Sequence, residues 1–238
     1  MPVAPEPSAR DPLTRERVLR AAVRLADEGG IEALSMRKLA QVLGVEAMSL
    51  YNHVANKEAM QDGMVDLVVA EIALPGAGGN WKAQMRQRAN SAYQVLLSHP
   101  WAPLLFVSRI NVGPAMLRSI DAVHGCLRAA GFSHAMADHA RNVIDSHLYG
   151  FTLQELLFPL VRGTYADAAK QFLPMLPGDR YPHMRALTEQ VIDGHYDGLH
   201  AFAFGLDLLL DGLERQRVKD AAADPRISRK VLRNPKSK

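Results

Sequence analysis

Nine histidines and one cysteine are the residues of this 238-residue chain with the most reactive side chains. His134, Asp138 and His139 share a helical stretch, and the i, i+4 pair His134 and Asp138 faces one way. A zinc site needs further ligands, and no His-Glu-x-x-His occurs, so no metal is expected. Ser35 and Lys38 match a Ser-x-x-Lys acylase pattern, but its companion motifs and any Gly-x-Ser-x-Gly are missing. Cys126 lies in an apolar run and reads as a small core residue. Standing alone, it allows no intrachain disulfide framework and suits a reducing compartment. The glycines of PGAGGN (75–80) follow no strand and precede no Gly-Lys-Ser/Thr, so they read as a turn. No cofactor and no catalytic group is expected. A helical enzyme with an accessory N-terminal bundle would need a convergent set of titratable groups, and none stands out.

Residues 35–54, SMRKLAQVLGVEAMSLYNHV, carry a different chemistry. Ser35 caps a short helix with Met36, Leu39, Ala40 and Leu43 inward, and Gly44 supplies a turn. A second short helix follows, anchored by Val45, Leu50 and Val54, which leaves Ala47, Met48, Ser49, Tyr51, Asn52 and His53 free to face outward. That arrangement is helix-turn-helix geometry, and such an exposed helix fits the major groove of double-stranded DNA.

Helical spacing dominates the elements that must position this segment. An apolar stripe over 14–28 begins at Thr14 and ends at Gly29 and Gly30, and Asn56 caps a further helix over 56–73. Later helical runs fall at 81–98, 101–109, 114–130, 134–160, 165–173, 183–195 and 198–219. The expected fold is all-α: an N-terminal bundle of three or four helices with the helix-turn-helix, and a larger C-terminal helical domain. Residues 1–12 read as a disordered leader, 13–60 as the DNA-binding domain with a linking helix over 56–73, 80–220 as the sensing and dimerisation domain, and 221–238 as a basic tail. With 48% hydrophobic and 22% charged residues the composition is that of an ordinary globular protein. The proline-rich start is not a signal peptide, and no apolar stretch approaches a membrane span. A cytoplasmic protein without a membrane partner is expected. The net charge of +3 is largely a tail property. Six cations and no acid lie in 226–238, read as a solvated terminus, with salt-sensitive DNA affinity as the alternative.

Residues 13–74, with GIEALSMRKLAQVLGV and LYNHVANKEAM, resemble the DNA-binding domain of the TetR family of bacterial transcriptional repressors. YPHMRAL (181–187) and HAFAFGLDLLLDGLERQ (200–216) are similar to the last segments of its tetracycline-repressor branch. The resemblance implies a homodimeric repressor that leaves its operator when a small molecule binds, because a shift of the linking helix mis-spaces the two recognition helices. It implies that Ser35 and Arg37 lie at the operator edge, that Ser49, Tyr51, Asn52 and His53 contact DNA from the recognition helix, and that Lys57 neutralises a phosphate. Ala47 and Met48 stand where the tetracycline repressor has a base-reading Gln and a Pro, so they offer only apolar contact. A regulator controlled by a partner protein, or an activator, is the alternative.

The ligand positions depart further. Phe106 falls where the tetracycline pocket has its metal-binding His, and Arg88 and Ala92 fall where it has drug-holding residues. The expected effector is therefore a mainly apolar molecule bound without a metal, and not tetracycline. Its candidate contacts are Trp101, Phe106, Arg109, Met116, His147, Tyr149, Phe151 and Gln154, since ligand pockets combine apolar walls with a few polar groups. The last helix is expected to dimerise the protein through Leu199, Phe202, Leu206, Leu209 and Leu213, with Gly205 admitting a partner helix.

Overall fold

Short polar side chains start five of the helices, each by accepting a backbone N–H that the helix itself cannot satisfy. The computed structural model describes residues 12–76, 78–159, 163–198 and 200–223. Every regular element among them is helical. The leader 1–11, Leu199 and the basic segment 226–238 lie outside the described residues. Thr14 caps α1 (Arg15–Gly29) and Ser35 caps α2 (Met36–Leu43), accepting from Arg17 and Lys38 at 3.2 Å each. Gly44 ends α2 at φ 68°, a left-handed conformation that a residue with a Cβ adopts at a cost. The chain then enters α3 (Ala47–Leu50). This helix is shorter than the pattern suggests. Tyr51, Asn52 and His53 continue it as a tighter turn, their N–H groups bonding to Met48, Ser49 and Leu50.

Asn56 caps α4 (Lys57–Ala70), which closes the N-terminal bundle by packing on α1. Leu19, Leu25, Leu39, Leu50, Met60 and Met64 fill that bundle's core. Each large side chain removed from water here contributes roughly 2 kcal/mol. The same α4 also touches α5 (Trp81–Ser98), α6 (Ala102–Ser108) and α7 (Pro114–Ala129). It is the element shared by both halves of the molecule. The second half is built on α8 (His134–Leu157), which packs on α5, α6, α7 and the last helix. Ala89, Ala92, Ala137 and Ala140 are buried where these helices meet, and small residues let the axes come close. The pair α9 (Tyr165–Phe172) and α10 (Pro182–Ile192) lies against itself and buries almost nothing.

The final helix, α11 (Phe202–Ala223), corrects one expectation. Phe202, Leu206, Leu210 and Leu213 are buried, and α11 packs on α5 and α8 of the same chain. Gly205 admits α8, because a Cβ there would lie 2.4 Å from His147 Cε1. The stripe expected to meet a partner is thus filled from within, and Leu209 is only half-buried. Phe204 and Leu208 face outward instead. The helix is apolar on more than one side, so its pattern alone could not say which side was internal.

Candidate nucleic-acid interface and ligand cavity

The helix-turn-helix presents a mixed face. Arg37, Tyr51, Asn52 and Lys57 are exposed, and Met48 is 75% exposed. Ala47 is half-buried against the core, and His53 is half-buried. Two hydroxyls are already engaged. Ser35 Oγ caps α2, and Ser49 Oγ donates to the Glu46 carbonyl. Lys57 opens α4, where the helix dipole and its cation both favour a phosphate.

Two clamps tie this bundle to the second half. In the first, His99 is buried at the end of α5, with Nδ1 2.7 Å from Asp27 of α1 and Nε2 3.3 Å from Glu71 beyond α4. Trp101 donates its indole N–H to the same Asp27 oxygen at 2.7 Å. The second clamp joins α4 to the segment between α6 and α7. Arg109 bonds Gln61 at 2.6 Å and Asp62 at 3.0 Å. Asp66 accepts the N–H groups of Ala115 and Met116 at 2.9 and 3.0 Å. A carboxylate on α4 therefore caps α7, whose own Gly113 has no side chain to do so.

A cavity of about 200 Å³ lies between α5, α6, α7 and α8. Phe106, Met116 and Tyr149 stand on its wall, together with Arg88, Asn111, Ser119, Ile120, Arg141 and Asp145. Arg88 and Asp145 form a buried ion pair at 2.5 Å, and Arg141 reaches the other Asp145 oxygen at 3.4 Å. Burial works against the Arg88 charge, but the attraction and hydrogen bond of Asp145 outweigh it and hold its pKa above the ordinary value. Burial, reinforced by Asp145, pushes the Tyr149 phenol well above its usual range, so it stays a neutral donor.

The other expected effector contacts lie elsewhere. Trp101 belongs to the Asp27 clamp and Arg109 to the α4 clamp. His147 and Phe151 sit in an aromatic cluster with Tyr93 and Phe202; His147 stacks on Phe202 with centroids 5.0 Å apart. Gln154 is exposed. The wall is also more charged than expected. Its signal was present in the sequence: Arg88 falls among Met85, Ala89 and Ala92, and Asp145 beside Ile144 and Leu148, a charge on each apolar stripe. Two such charges on separate helices announce a buried pair. Asp138 is taken by Arg141 at 3.1 Å, with His124 at 3.7 Å. Among the described residues no group of three His, Cys, Asp or Glu side chains could hold a metal. Burial pushes the Cys126 thiol up, away from nucleophile chemistry.

Comparison with known proteins assigns the chain. Residues 18–63 match the family described as "Bacterial regulatory proteins, tetR family", and residues 74–217 match "Tetracyclin repressor-like, C-terminal domain". The chain belongs to the TetR family. It is similar to the HTH-type transcriptional repressor DrrR1 of Streptomyces coeruleorubidus, 32% identical over 220 residues, which covers 88% of this chain and 80% of that one. The tetracycline repressor protein class D of Escherichia coli is 31% identical over 211 residues, covering 86% and 90%. The Streptomyces coelicolor protein ActR in complex with actinorhodin superposes with a TM-score of 0.74 at 27% identity, covering 87% of this chain and 99% of that one. This TetR-family chain is all-α, with a helix-turn-helix DNA-binding domain followed by a helical C-terminal domain, and it regulates transcription. No described helix is long and apolar enough to cross a membrane.

Proposed function

We propose that this protein is a homodimeric repressor that holds double-stranded operator DNA and is released from it by a small molecule bound in the cavity between α5 and α8. One observation carries the reading. The segment around 106–116 forms part of the cavity wall through Phe106, Asn111 and Met116, and is tied to α4 through Arg109 and Asp66. Residues that touch a ligand therefore share a short, hydrogen-bonded segment with the helix that follows the recognition element. A ligand that moves this segment moves α4, and a change of a few ångströms between two recognition helices prevents simultaneous use of both half-sites. The name of the repressor relative and the ActR complex with actinorhodin support this reading.

In this reading Arg37, Tyr51, Asn52, His53 and Lys57 face the operator, and Met48 contributes apolar contact. Lysines and hydroxyls fix register on phosphates, while Arg37 can read a guanine. The second copy packs on the outward side of α11, where Phe204 and Leu208 are exposed one turn apart and Gly212 follows at the next turn. Sequencing the genomic fragments retained by the purified protein tests the proposal. A recurrent palindromic site, bound by two copies, is the expected result. Retention of random fragments with no shared site would overturn it.

A further inference from the structure

The cavity has a charge imbalance that its apolar neighbours do not explain. Arg88 and Arg141 both stand on the wall, and both lean on the single buried carboxylate of Asp145. Arg141 also touches Asp138, whose side chain is 52% exposed and shares its charge with solvent. Two guanidiniums around one buried carboxylate leave the wall positive. Three wall residues also hold a buried polar atom without a partner: Arg88 Nε, Arg141 Nε and Asn111 Oδ1. Buried donors and acceptors favour a partner, so a molecule held in this space has three polar atoms on its wall to satisfy. Phe106, Met116, Ile120 and the Tyr149 ring complete the lining with apolar surface.

We infer that this cavity takes a small organic anion, in which a carboxylate or ionised enol is held by Arg141 and Arg88 and a flat apolar body lies against Phe106 and Met116. The inference rests on the ligand-responsive reading and names its ligand class. Guanidinium forks match planar anions, and charge-assisted hydrogen bonds are about twice as strong as neutral ones in a desolvated site. Asn111 Oδ1 would accept from a hydroxyl or amide on the same body, and the neutral Tyr149 hydroxyl supplies a further donor. The space of about 200 Å³ falls below the roughly 300 Å³ at which drug-sized pockets begin, which limits the occupant to one or two fused rings. The anion replaces the mainly apolar ligand that the sequence suggested.

Calorimetric titration of the full chain with benzoate and 2-naphthoate, each set against its neutral carboxamide, separates charge from shape. The carboxylates should bind at least about tenfold tighter than the amides, the gap expected of a charged over a neutral hydrogen bond. Arg141→Met should close that gap, and Ile120→Trp should abolish binding by filling the space. The wild-type contrast stands even where a variant does not fold. Equal affinity of amide and carboxylate, or binding by none of the four probes, would overturn the anion assignment. Operator DNA in the same series keeps the two readings apart. Tight carboxylate binding without release of DNA sinks the ligand-responsive reading and supports the anion site. Release by amides as readily as by carboxylates overturns the anion assignment and leaves the ligand response standing.

Discussion

The cap that α4 places on α7 can be tested from both sides. Asp66 accepts two backbone N–H bonds at the start of α7, from Ala115 and Met116. Asp66→Ala deletes both, together with a carboxylate at the positive end of the helix dipole. Removing a side-chain cap costs up to about 2 kcal/mol, and a charged acceptor at a half-buried site puts this one near that upper value. For a chain of this size the loss corresponds to a fall in Tm of about 4–8 °C. Gly113 gives the independent route. A Cβ on Gly113 would stand 2.2 Å from Asp66 Oδ1, while its φ of −64° is one that any residue adopts. Gly113→Ala therefore acts by displacing the Asp66 side chain, Cβ included at 2.7 Å, and its cost should be at least that of Asp66→Ala. In the Asp66→Ala background the carboxylate is gone and only the Cβ of residue 66 remains, 2.7 Å from the new methyl, so adding Gly113→Ala should cost clearly less than it does in the wild-type chain. Thermal melts of wild type, both single variants and the double variant complete the cycle. Two full, additive losses, or a Gly113→Ala protein as stable as wild type, would show that Asp66 does not hold α7.

Tyr51→Ala and Lys57→Ala should each weaken operator binding without lowering the Tm, and Lys57→Ala should reduce the slope of log K against log salt by about one. Fluorescence anisotropy at several salt concentrations reads both; unchanged affinity in the two variants refutes the assigned DNA face. Leu206 is fully buried and Leu208 is 58% exposed. Leu206→Arg should therefore unfold the chain, whereas Leu208→Arg should give a folded monomer by light scattering and circular dichroism, and a folded dimer in that variant places the seam elsewhere. Glu214 is held at about 2 against an ordinary 4.5, first by the hydrogen bond from Arg217 and also by the Trp81 indole. Its stabilisation is complete above the ordinary value and disappears as pH falls from 4.5 towards 2. Glu214→Gln should thus melt below wild type near neutrality, and the gap should close on acidification; a gap independent of pH would count against the pairing.

Most helix starts and the helix-turn-helix were legible in the sequence because their causes are local. Thr14, Ser35 and Asn56 cap the helices that follow them, Gly44 supplies the one left-handed turn that α2 needs, and Leu39 and Leu43 stand one helical turn apart. Family membership was legible for the same reason, since its motifs are contiguous. What tertiary structure decided was which side chains meet across helices. Phe106, Met116 and Tyr149 come together with Arg88 and Asp145, which lie 57 residues apart in the chain. Trp101, Arg109 and His147 have residue types suited to a ligand site, yet each is engaged by a partner on another element. Periodicity fixes the angle of a residue around its own axis but not the identity of the helix facing it. On α11, apolar on two sides, that second fact alone separates the buried Leu206 from the outward Leu208.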